Sequence, residues 1–239
     1  MAKGESGFHM SEEKILREKT ATLARMLNQQ GTIGMFGHVS IRVPGTDKCF
    51  ISPGASTEKS TVRAEQIFVY NIDGSIIEHP GGLIPLEWRI HTQIHRDRPD
   101  AMCVCHLHAP HARTLGIAGK PLRPVFLHGS FLCTGVPTWD NPRLVVLDSQ
   151  AADLSRALGN HRVAQMRGHG SVVVGASAEE AFFACTFLEE NAQIQLQAEI
   201  MGGAIPLSDE EARDCAKGTY DPRLFALLWT FYERKVMPD

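Results

Sequence analysis

Several features are missing from this sequence of 239 residues, and each absence excludes a class of protein. No apolar run reaches the roughly 18 residues that a membrane-spanning helix needs. The 24 lysines and arginines are outnumbered by 27 aspartates and glutamates, which gives a net charge of −3. Such a chain has no basic field to hold nucleic acid or an anionic membrane. We therefore expect no nucleic acid and no membrane among its partners.

The cysteines show no pattern of a disulfide framework. There are 6 of them, mostly in apolar segments where a free thiol packs as a small hydrophobe. The first residues, MAKGESGFHMSEEK, also lack the apolar core of a secretion signal. We therefore expect a reduced, cytoplasmic protein.

Helical patterns lie at both ends of the chain, and strand patterns lie between them. Ser11, followed by an apolar stripe, predicts a helix over residues 11–29, and Ser177 caps another over residues 178–201. Short alternating segments, such as residues 39–43, predict strands. This order favours an α+β or three-layer arrangement with a mostly antiparallel sheet. We predict a flexible segment over residues 1–10 and a single domain over residues 11–239.

Two histidines, His106 and His108, stand at the end of a strand-like apolar run, CVCHLHAP. Residues two apart on a strand point to the same face, so both rings can be directed at one point. Buried imidazoles need partners for their nitrogens, and a divalent metal is one such partner. Backbone groups are another, and these two histidines alone do not decide between them.

Two further residues favour the metal interpretation. His169 lies between Gly168 and Gly170 in a predicted turn between two strands, where glycines permit the close approach of another group. Glu87 lies at the start of a predicted helix. Three imidazoles and one carboxylate suit Zn²⁺, Mn²⁺, Fe²⁺ or Co²⁺. We predict one such ion per subunit, held by Glu87, His106, His108 and His169.

Six motifs, taken in order along the chain, resemble the class II aldolase and adducin family. They are GHVS at residues 37–40, ISPG at 51–54, PLEWRIH at 85–91, RPDA at 98–101, HLHA at 106–109 and GHG at 168–170. The resemblance implies an α/β fold of three layers, α/β/α, with a central and mainly antiparallel sheet. It also implies a homotetramer with active sites between adjacent subunits and a small-molecule anionic substrate.

The same resemblance implies roles for individual residues. His106, His108 and His169 hold the metal, Glu87 is a fourth ligand or an acid/base, and Tyr220 reaches the site of a neighbouring subunit. Members of the family include sugar-phosphate aldolases, an epimerase and decarboxylases of hydroxylated dicarboxylic acids. Members of the adducin type lack the metal histidines, and a non-catalytic scaffold is therefore one alternative for this chain.

The residues expected to surround a phosphate differ from those of the sugar-phosphate aldolases. Those enzymes resemble GNxS and SSE, whereas this chain has His38 in place of the asparagine and Pro85 and Leu86 in place of the serines. Phosphate needs several N–H or O–H donors, which the side chains of Pro85 and Leu86 do not supply. The difference favours a decarboxylase of a hydroxylated aromatic or pyridine dicarboxylate. The alternative is an aldolase that takes its donors from Ser56, Thr57 or Lys59.

Several side chains are assigned to substrate binding and proton transfer. We predict that the substrate contacts His38, Ser40, Ser52 and Gly54. Glu87 is the first candidate for the acid that protonates the carbon left by CO₂, because an apolar wall pushes a carboxyl group towards its protonated form. His38 is the second candidate, as an acid or as a grip on a substrate carboxylate, and Tyr220 is the third.

Overall fold

Eight strands form one sheet in the order β4–β3–β2–β1–β5–β8–β7–β6 in a computed structural model that describes residues 5–55 and 57–237. Neighbouring strands run antiparallel, except β6 and β7, which are parallel. The strands are β1 His38–Arg42, β2 Lys48–Ile51, β3 Phe68–Asn71, β4 Ile76–Glu78, β5 Cys103–Leu107, β6 Thr138–Trp139, β7 Val163–Met166 and β8 Gly170–Gly175.

Helices cover both faces of this sheet. The helices are α1 Glu5–Gln29, α2 Trp88–Asp97, α3 Pro110–Ile117, α4 Asp148–Leu158, α5 Ala178–Ile200, α6 Asp209–Thr219 and α7 Pro222–Val236. Successive side chains of the buried strand β5 point to opposite faces. Cys103 and Cys105 pack in the core under α1, α5 and α7, whereas Val104 packs with α2 and α4. The predicted three-layer α/β/α fold is therefore confirmed.

Two predicted helix starts are displaced in the structure. The first helix begins at Glu5, so Ser11 lies within it rather than before it. Residues 1–4 of the segment predicted to be flexible lie outside the described residues, and the division of the chain at residue 10 stays a prediction. The helix after Pro85 begins at Trp88, with Glu87 at its N-cap position and no capping bond from the Glu87 side chain. No helix within the described ranges is long and apolar enough to cross a membrane.

Candidate metal centre and its cavity

Four side chains predicted from the sequence as metal ligands converge in the structure. One ligand atom from each of Glu87, His106, His108 and His169 lies within 4.8 Å of the others. Nε2 of His106 is 3.1 Å from Nε2 of His108, and Oε2 of Glu87 is 3.3 Å from Nε2 of His106 and 3.4 Å from Nε2 of His169. The prediction that these four residues meet is confirmed.

The sheet brings the three histidines together. His106 lies on β5 and His108 just after it, while His169 lies in the turn from β7 to β8. Strand β8 approaches β5 so closely that a Cβ atom at Gly170 would lie 2.1 Å from the carbonyl oxygen of Leu107. Only glycine permits this approach, and the approach holds the turn with His169 beside His108.

Glu87 reaches the cluster from the other side, at the start of α2. Its Oε1 accepts a 2.8 Å hydrogen bond from the backbone N–H of Val145. Burial alone raises the pKa of the Glu87 carboxyl, but the contacts with His106 and His169 outweigh burial and hold the pKa well below its usual range. The expectation of a protonated Glu87 was therefore wrong, because its donors outweigh the apolar wall. An ionised carboxylate suits the ligand role better than the role of an acid.

The nitrogens of the histidines are available to a cation. Nδ1 of His106 lies 3.3 Å from the carbonyl oxygen of Ser171, which places the N–H there and leaves a lone pair on Nε2. Both ring nitrogens of His169 are buried without a hydrogen-bond partner among the described residues. Burial and the neighbouring imidazoles lower the pKa of His108 to about 3. His108 is therefore neutral near pH 7, as a metal ligand must be.

These donors fit a divalent metal ion. Atoms that lie 2.0–2.1 Å from a tetrahedral ion are about 3.3 Å from one another, close to the three shortest separations in the cluster. A buried imidazole with no partner is costly without a ligand. The set of three nitrogens and one oxygen suits Zn²⁺, Mn²⁺, Fe²⁺ or Co²⁺ alike.

The cluster opens into a cavity of about 470 Å³, which His38, Glu87, His108 and His169 all line. This volume is within the range for small-molecule sites. Most of the wall is apolar, and its members include Met35, Phe36, Ile84, Pro85, Leu86 and Leu144. The cavity therefore offers polar groups at the cluster and apolar surface elsewhere.

The loop that follows β2 forms part of the wall but presents few donors. Gly54 lines the cavity as predicted, and a Cβ atom there would lie 3.0 Å from the carbonyl oxygen of Ile84. The ammonium group of Lys59, one of the donors considered for phosphate, is buried beneath this loop and donates to the carbonyls of Pro53 and Gly54. Thr57 does not line the cavity, and Ser56 lies outside the described residues.

Arg113 lines the cavity and was missed by the sequence reasoning. It lies on α3, which begins two residues after His108, and its positive charge contributes to the lowered pKa of His108. The guanidinium is half-buried, and among the described residues it has no hydrogen-bond or ion-pair partner. No other lysine or arginine is found among the described lining residues. Its place in the helix that directly follows HLHA was the only signal.

Ser40 and Ser52 do not take the substrate-binding positions predicted for them. Both side chains are fully buried, and neither lines the cavity. The hydroxyl of Ser40 lies between His91 and His95, and that of Ser52 accepts a hydrogen bond from the backbone N–H of Val39. The strand alternation that puts Ser40 on the same face as His38 was right, but α2 covers that position.

Tyr220 does not line the cavity of its own chain either. Its hydroxyl donates a 2.5 Å hydrogen bond to Glu180, and its ring packs among Phe131, Phe183 and Phe225. These contacts give Tyr220 a structural role within the chain. Its catalytic role at a neighbouring subunit's site stays a prediction.

Comparison with known proteins identifies one family. The description Class II Aldolase and Adducin N-terminal domain matches residues 18–196, which is more than half of the chain and includes all four residues of the cluster.

Three similar proteins show how widely this fold is used. A 3,4-dihydroxyphthalate decarboxylase from Arthrobacter keyseri is 30% identical over 201 residues, which cover 79% of this chain and 81% of that protein. Human beta-adducin is 26% identical over 198 residues, which cover 81% of this chain but only 27% of adducin. An L-fuculose 1-phosphate aldolase from Glaciozyma antarctica PI12 superposes with a TM-score of 0.81 at 21% identity, covering 94% of this chain and 89% of that one. At that identity, the last likeness shows the fold alone.

Proposed function

Since the chain belongs to the class II aldolase and adducin family, we propose that it is a metal-dependent carboxy-lyase acting on a hydroxylated aromatic or pyridine dicarboxylate. The observation that carries this proposal is the cavity, which joins a four-residue metal cluster to an apolar wall and an unpaired Arg113. A flat ring matches the wall, and a carboxylate matches a guanidinium. The similar decarboxylase acts, by its name, on a dihydroxyphthalate.

The reaction breaks the bond between a ring carbon and a carboxyl carbon, and CO₂ leaves. The electron pair of that bond stays on the ring, and the ring carbon then takes up a proton. A divalent ion held by Glu87, His106, His108 and His169 supplies Lewis-acid stabilisation for negative charge that develops next to a substrate oxygen. Arg113 holds the carboxylate that does not react. His38, which lines the same cavity, is the better candidate for proton transfer because Glu87 is held ionised.

Two alternatives fit the site less well. A sugar phosphate needs several donors, yet Pro85 and Leu86 line the cavity without any side-chain donor and Lys59 is committed to backbone carbonyls. A non-catalytic scaffold has no use for the buried, unpaired nitrogens of His169. The carboxy-lyase uses both features.

Assembly and compartment are further parts of the proposal. Apolar side chains near the cavity mouth are exposed in the single chain, for example Phe36 at 56% and Leu86 at 66%. Exposed apolar patches mark interaction surfaces, which supports a homotetramer with its active sites between subunits. The six cysteines all lie within the described part of the chain as free thiols, which supports a reducing, cytoplasmic setting.

The proposal is tested by measuring CO₂ release from a set of hydroxylated aromatic and pyridine dicarboxylates. Protein stripped of metal is assayed before and after the addition of Mn²⁺, Zn²⁺, Fe²⁺ or Co²⁺. We expect metal-dependent CO₂ release from at least one dicarboxylate and no aldehyde from L-fuculose 1-phosphate. Aldehyde release in place of CO₂ would assign the chain to the aldolases instead.

Removing the carboxylate from the cluster is a second test. In Glu87→Gln we expect turnover to fall at least 100-fold, since a neutral amide is a poor ligand. Full turnover in this variant would remove Glu87 from the site. The Tyr220→Phe variant described in the Discussion serves as the matched single-atom change away from the cavity.

A further inference from the structure

A chain of hydrogen bonds runs from the cavity wall into the core beside the metal cluster. Nδ1 of His38 lies 2.6 Å from Nε2 of His91, and Nδ1 of His91 lies 2.7 Å from Oγ of Ser40. Oγ of Ser40 lies 2.8 Å from Nε2 of His95. Nδ1 of His95 lies 2.8 Å from the carbonyl oxygen of Ala101. The whole chain lies between β1, β5 and α2.

The members of this chain are removed from water. His91, His95 and Ser40 are fully buried, and His38 is 5% exposed. Burial lowers the pKa of each of the three imidazoles below its usual value. Each ring is therefore neutral near pH 7 and carries one N–H and one lone pair.

The carbonyl at the inner end fixes the direction of every hydrogen bond. A carbonyl only accepts, so the N–H of His95 is on Nδ1 and its Nε2 accepts from the Ser40 hydroxyl. Ser40 has a single proton and has used it, so it accepts from Nδ1–H of His91. Nε2 of His91 is then a lone pair, which requires the N–H of His38 to be on Nδ1.

We propose that His91, Ser40 and His95 are positioning residues that fix the tautomer of His38, so that its Nε2 faces the cavity as a hydrogen-bond acceptor. No described residue bonds to this nitrogen, and His38 lines the cavity. An acceptor at this point matches a hydroxyl group of a bound substrate and not a carboxylate. The grip on a carboxylate predicted for His38 therefore belongs to Arg113 instead.

The tautomers are read directly by ¹⁵N NMR of histidine-labelled protein loaded with Zn²⁺, which is diamagnetic. In the wild type we expect the N–H on Nδ1 in all three of His38, His91 and His95. An N–H on Nε2 of His38 would overturn the proposal. The measurement uses no substrate, so it succeeds or fails independently of the proposed reaction.

Two matched variants separate positioning from simple burial of a hydroxyl. Ser40→Ala interrupts the chain, and we expect a signal for N–H on Nε2 of His38 to appear. Ser52→Ala removes a hydroxyl that is equally buried but outside the chain, and we expect the His38 signals to stay as in the wild type. An unchanged His38 in Ser40→Ala, or an equal change in both variants, would contradict the positioning role. If Ser40→Ala does not fold, the wild-type spectrum alone still decides the tautomer.

Discussion

Two groups of three histidines lie side by side on the same face of the sheet, and they differ in what their nitrogens contact. His38 and His106 are opposite each other on β1 and β5, with ring centroids 5.2 Å apart. In the group of His38, every ring nitrogen except the one at the cavity has a hydrogen-bond partner. In the metal cluster, nitrogens face one another or have no partner at all.

The difference shows how burial of the same side chain serves two purposes. Neutral nitrogens that face each other at 3.1 Å without a cation bring two lone pairs together, so the cluster is completed by a ligand. Alternating donors and acceptors, in contrast, satisfy one another, so the chain through Ser40 is complete without one. The first group binds, and the second fixes the orientation of a neighbour.

The largest expected effect is on the cluster, through added metal. With Zn²⁺ at a thousandfold excess over its Kd, the free energy of unfolding should rise by about 4 kcal/mol. His108→Ala should lose this increase, because it removes a ligand, whereas Ser40→Ala should keep it. Chemical denaturation with and without Zn²⁺ measures both. An equal loss in the two variants would mean that the groups are not distinct.

The second effect is on the chain and appears with pH. Burial lowers the pKa of His95 to about 4, so the unfolded state binds more protons between pH 6.5 and pH 4. The stability contributed by neutral His95 is complete above pH 6.5 and is lost as the pH falls to about 4, at a total of about 3 kcal/mol.

Denaturation of the metal-free protein across this pH range measures the loss. His95→Gln should show a shallower dependence than the wild type, and the exposed His79→Gln should not. Parallel curves for wild type and His95→Gln would contradict the neutral state of the chain.

A third effect concerns the cavity beyond both groups. Arg113→Met keeps the apolar stem but loses the charge, and a hydrogen bond to a charged group contributes about 2 kcal/mol. We expect kcat/KM for a dicarboxylate to fall roughly 30-fold, mostly through KM. Arg156→Met, at an exposed ion pair on α4, is the control and should be unchanged. Equal KM values for Arg113→Met and wild type would show that Arg113 does not hold the substrate.

The smallest effect is at Tyr220. Tyr220→Phe removes the hydrogen bond to Glu180, and we expect the free energy of unfolding to fall by about 1 kcal/mol with turnover retained. A loss of turnover at unchanged stability would instead support the role predicted for Tyr220 at a neighbouring subunit's site.

The metal cluster was predictable because its signals are local. The two-residue period of a strand places His106 and His108 together, and the glycines on both sides of His169 permit the close approach that Gly170 makes. The family motifs correctly predicted the three-layer fold and the membership in the class II aldolase and adducin family.

The missed features depend on contacts between distant segments. The ionised state of Glu87 depends on an N–H that comes from Val145, 58 residues away. The burial of Ser40 depends on which side of α2 faces the sheet, and the four-residue spacing of His91 and His95 alone does not reveal it. Arg113 follows the motif HLHA closely, but no periodicity marks it as part of the cavity.

The central claim, that Glu87, His106, His108 and His169 form a metal site, is tested most directly by calorimetric titration of metal-free protein with Zn²⁺. We predict one ion bound per chain in the wild type and none at this site in His169→Ala. Absence of stoichiometric binding by the wild type, or unchanged binding by His169→Ala, would contradict the claim.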